Sequence, residues 1–72
     1  MKNINENTFY ILFVSKTTNE YAIKEVPNNR LSDNHYDYAP KLGVWEIYRE
    51  GLGKQGWDNI QSWLSKNMWM FI

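Results

Sequence analysis

Residues 8–16 read Thr-Phe-Tyr-Ile-Leu-Phe-Val-Ser-Lys, a run rich in β-branched and aromatic side chains. Successive side chains of an extended backbone point to opposite faces, and here both faces are largely apolar. That pattern marks a central strand, since at an edge much of it would stay in water. Thr17, Thr18 and Asn19 then supply turn chemistry. Residues 20–26 resume an extended pattern in which Tyr21, Ile23 and Glu25 oppose Ala22, Lys24 and Val26, so the first two strands read as a hairpin.

Pro27 closes the second strand, and residues 27–43 carry Asn28, Asn29, Ser32, Asp33, Asn34 and Pro40, the punctuation of a long surface loop. A loop of that length in so short a chain points to a role in binding or to partial disorder. Residues 44–49 read as a third strand, with Trp45 and Ile47 on one face and Glu46 and Tyr48 turned outward or to an edge. Residues 51–56 read as a glycine-rich loop. Trp57, Ile60 and Leu64, with Trp63 alongside, then set an apolar stripe at helical period, and Asp58 and Lys66 suit the two ends of the helix dipole. The spacing predicts a helix over 57–66. Residues 68–72 are apolar throughout and are expected to return to the sheet as a short buried strand.

The expected fold class is α+β, a small antiparallel or mixed sheet in the order β-β-β-α-β with one helix packed on one face and the other face uncovered. The 72 residues form one domain, with 1–7 a loosely ordered lead-in. There is no cysteine, hence no disulfide staple, thiolate zinc site or thiol nucleophile. In their place stand four tryptophans, five tyrosines and three phenylalanines, more ring surface than so short a chain is expected to hide. Surplus rings at a surface favour an interface.

Eight basic and eight acidic residues balance, which argues against a strongly basic nucleic-acid footprint and against an acidic mimic of DNA. No run approaches the length of a membrane span and the early apolar run is too short for a signal sequence, so the expected location is cytoplasmic.

Three constellations stand out. Gly51-Leu52-Gly53-Lys54-Gln55-Gly56 fits G-x-G-x-x-G between a strand and a helix. The ribose-binding acid of a dinucleotide fold is missing downstream, which leaves at most a single phosphate held by Gly53, Lys54 and Gly56. Asp33, His35 and Asp37 alternate and would share one side of an extended segment, but one histidine without the EF-hand glycine or bidentate glutamate makes a poor ligand set, and no metal or cofactor is expected. No nucleophile elbow, phosphate-binding P-loop or paired histidines occur, so no catalytic residue is assigned and the chain reads as non-enzymatic.

The leading expectation is a small protein-binding module that docks on another protein, or on itself as a homodimer, through Tyr36, Tyr38, His35, Arg30 and Tyr48. Its general character suits a phage or mobile-element protein that modulates or inhibits a host protein. The alternative is single-stranded nucleic-acid or phosphate binding through the tyrosines and the Lys54 segment.

Overall fold

The computed structural model describes residues 3–67. The predicted strand over 68–72 lies outside them. Three strands, β1 (Thr8–Ser15), β2 (Glu20–Pro27) and β3 (Glu46–Leu52), form an antiparallel sheet in the order β2-β1-β3, and one helix, α1 (Gly53–Asn67), packs on it. The α+β class and the hairpin are as the sequence predicts. Asn19, at φ 58°, takes the left-handed position that lets the four-residue turn close Ser15 against Glu20.

β1 is central, and Tyr10, Ile11, Leu12, Phe13 and Val14 are all buried. Alternation divides them between two cores. On one face Tyr10, Leu12 and Val14 meet Ile60 of α1, with Ile4, Tyr21, Ile23, Tyr48, Trp57, Trp63 and Leu64 around them. On the other, Ile11, Phe13 and Val26 are covered by Leu31, Tyr38, Ala39 and Trp45, with Phe9 and Ile47 completing the cluster. The second face is therefore not open, as the sequence suggested. Residues 28–45 lie across it as a third layer, stiffened by 3-10 turns at Asn28–Arg30 and His35–Tyr38. A strand apolar on both sides needs cover on both, and with a single helix in the described chain the connecting segment supplies it.

Among the described rings Tyr10 and Phe13 are buried, Tyr36 is exposed, and the others are half-buried against the two cores. Ring contacts tie layers together, as in Tyr10 against Trp57 at 5.4 Å and Tyr48 against Trp63 at 5.0 Å, both edge-on.

β3 begins two residues later than predicted and runs into the glycine segment, and α1 starts at Gly53 rather than Trp57. An extra residue, Tyr48, lies between the partners of Leu12 and Phe13, a bulge that turns Tyr48 onto the helix face while Ile47 stays on the other. The lead-in is also anchored. Thr8 N–H donates to Asn5 O at 3.0 Å, Asn28 N–H donates to Asn7 O at 2.8 Å, and Ile4 packs beneath α1.

Candidate functional site

The segment that covers the second face also holds four of the five residues expected to bind a partner, and it orders itself through its own polar groups. The Asn34 carboxamide accepts from Tyr36 N–H at 3.1 Å and so caps the second 3-10 turn. The single Ser32 Oγ proton is shared between Asn34 O at 2.9 Å and the Asp37 carboxylate at 3.1 Å. Tyr38 faces inward. Its hydroxyl accepts from Ser32 N–H at 2.7 Å and donates to Arg30 O at 3.1 Å, which clamps the segment across its own width. Each buried polar side-chain atom among the described residues has a partner.

Tyr36 and Tyr38 therefore do not share a side, as an extended segment would have placed them. In a 3-10 turn residues two apart diverge. Tyr36 lies edge-on to Phe13 at 6.2 Å, accepts from Ile47 N–H at 3.2 Å and keeps half its surface in solvent. His35 is held by Glu50, with Nδ1 2.7 Å from the carboxylate, and its ring tilts against Phe9 at 5.1 Å. Because a carboxylate only accepts, Nδ1 carries the proton in this contact. Asp37 is engaged with Ser32, and no cluster of three metal-ligating side chains forms among the described residues. Arg30 is exposed and lends its carbonyl to Tyr38. Tyr48 stands apart on the helix side of the sheet, against Trp63 and under Lys16 Nζ at 6.0 Å.

Besides Tyr36 and a set of polar side chains, this layer turns two aliphatic side chains outward. Leu42 is 87% exposed and Val44 70%, on either side of Gly43 at φ 99°. The turn is fixed from below, because the Trp45 indole N–H donates to Leu42 O at 2.7 Å while the ring packs on the second core. A Cβ on Gly43 would come within 3.1 Å of that indole nitrogen. The sequence reading passed over these residues because Val44 fell within a predicted strand and Leu42 at the end of a loop. The available signal was a pair of aliphatics around a glycine, next to an anchoring tryptophan.

The glycine segment serves packing. Gly51 on β3 and Gly56 on α1 touch back to back, such that a Cβ on Gly51 would lie 2.7 Å from the Gly56 Cα and one on Gly56 would overlap the Gly51 carbonyl. Gly53, at φ 65°, lies against Glu6. The Glu6 carboxylate accepts from Lys54 N–H at 3.3 Å, occupying the helix start where a phosphate would bind. Lys54 Nζ is 2.6 Å from Asp58, and that hydrogen bond, with the carboxylate's charge, raises the lysine above its ordinary value. Gly53 and Lys54 thus meet carboxylates, and Gly56 meets Gly51, rather than lining an open anion pocket.

Compared with known proteins, the chain matches no family model, no curated protein and no solved structure. No helix among the described residues is long and apolar enough to cross a membrane.

Proposed function

We propose that this chain is a non-enzymatic protein-binding module whose docking tip is the Leu42-Gly43-Val44 turn, with Tyr36 on the same layer as a second contact. The observation that carries the reading is the exposure of Leu42 and Val44 on a backbone already held by the Trp45 indole. Two aliphatic side chains kept in water on a fixed turn gain nothing for the fold and lose little entropy when a partner covers them. Phosphate or nucleic-acid binding through Lys54 finds less support, since both its backbone N–H and its amine face carboxylates.

The test compares proteins retained from an extract of the source cells by the wild type, by Leu42→Asp/Val44→Asp and by Lys54→Ala. The proposal expects a protein kept by the wild type and by Lys54→Ala, lost with the double variant, and little affected by salt. Retention that survives the double variant refutes the docking tip. Binding of an oligonucleotide that collapses with added salt and with Lys54→Ala would establish the phosphate reading in its place.

A further inference from the structure

β2 ends the described sheet, and its sequence carries a self-complementary charge pattern. The hydrogen bond from Asn28 N–H to Asn7 O fixes the phase of the ladder. Counting back through the register, Val26, Lys24, Ala22 and Glu20 bond inward to β1, while the intervening residues, Pro27 among them, turn their backbone groups to the outer edge. The proline nitrogen thus faces outward, where no ladder bond is lost.

The side chains of Glu20, Ala22 and Lys24 share one face of the sheet, opposite Ser15, Phe13 and Ile11. In an antiparallel pairing of β2 with its own copy about a two-fold axis at Ala22, Glu20 stands directly opposite Lys24 of the second copy, and Lys24 opposite its Glu20. Moving the axis to Tyr21 or Ile23 leaves both charges facing other residues, and moving it to Glu20 or Lys24 sets like charges against each other. A lysine in an edge strand ordinarily discourages strand addition. Here a second copy of this chain, in one register, converts that obstacle into two cross-strand ion pairs.

We infer that β2 is a self-association edge, through which two copies join their sheets into one of six described strands with the two α1 helices on the same face. Tyr21 and Glu25 already have interactions of their own, and the charge pairing uses neither side chain. The Thr18 hydroxyl donates to Glu20 Oε1 at 3.1 Å, which leaves the other carboxylate oxygen for the lysine. So few residues per strand make a weak, concentration-dependent contact. It involves a different surface from the Leu42 turn.

Sedimentation of the full chain from about 10 μM to about 1 mM tests it. The expected result is a mass rising from 8.7 kDa toward twice that value. Glu20→Lys and Lys24→Glu should each weaken association by about tenfold, and the double reversal should restore it, with circular dichroism unchanged throughout. A mass that stays at one chain over the whole range overturns the inference, and so does association untouched by either reversal. Association abolished by Leu42→Asp instead would assign the contact to the apolar turn and overturn it as well.

Discussion

At the residue scale the strictest demands are made by positions where a side chain has no room. Gly56 stands against the Gly51 carbonyl at the crossing of α1 and β3, so even a methyl group forces backbone from backbone. Gly56→Ala is expected to cost about 3 kcal/mol or to prevent folding, although alanine favours helices elsewhere. Urea denaturation measures it. A variant as stable as the parent would show that the two elements can separate cheaply. The same glycines show why the G-x-G-x-x-G spacing by itself names no ligand. Glycine is the residue both for close approach to phosphate and for close approach of backbone to backbone, and spacing alone does not separate the two.

At the element scale, β1 and β2 were legible nearly to their ends, because runs rich in β-branched and aromatic residues are a strong signal, turn residues separate them and Pro27 marks the stop. The first turn of α1 was not. Its residues, Gly53-Lys54-Gln55-Gly56, lack apolar period, and the stabilising contribution comes from Glu6, 48 residues away in sequence. Glu6→Ala should therefore cost about 1 kcal/mol in urea and loosen the amides of that turn, whereas no loss would mean that the carboxylate is not the cap. Lys54 follows the same logic within α1. Its raised value means that the ion pair with Asp58 supports the fold fully at pH values below the ordinary lysine range and fades as pH climbs through the raised value. Both groups are exposed, so the contribution is small. In Asp58→Asn the lysine titration followed by NMR should drop back toward its ordinary range.

For the whole molecule, the decisive feature is a sheet covered on both sides, by α1 on one and by residues 28–45 on the other. The sequence showed that β1 is apolar on both faces, yet the cover for the second face was unreadable. Leu31, Tyr38, Ala39 and Trp45 follow no period, and Ser32 and Asn34 among them read as loop because their side chains satisfy the segment's backbone instead of a helix or a ladder. The Leu42-Gly43-Val44 turn is tied to that layer through Trp45. Native-state amide hydrogen exchange at Ser32, whose N–H donates to the Tyr38 hydroxyl at 2.7 Å, tests the layer most directly. If residues 28–45 are part of the core, Ser32 exchanges only through openings about as costly as those that expose Leu12 at the sheet centre, and Tyr38→Phe accelerates it by about tenfold or more. Exchange at Ser32 as fast as in an unstructured peptide, with Leu12 still protected, would contradict the account.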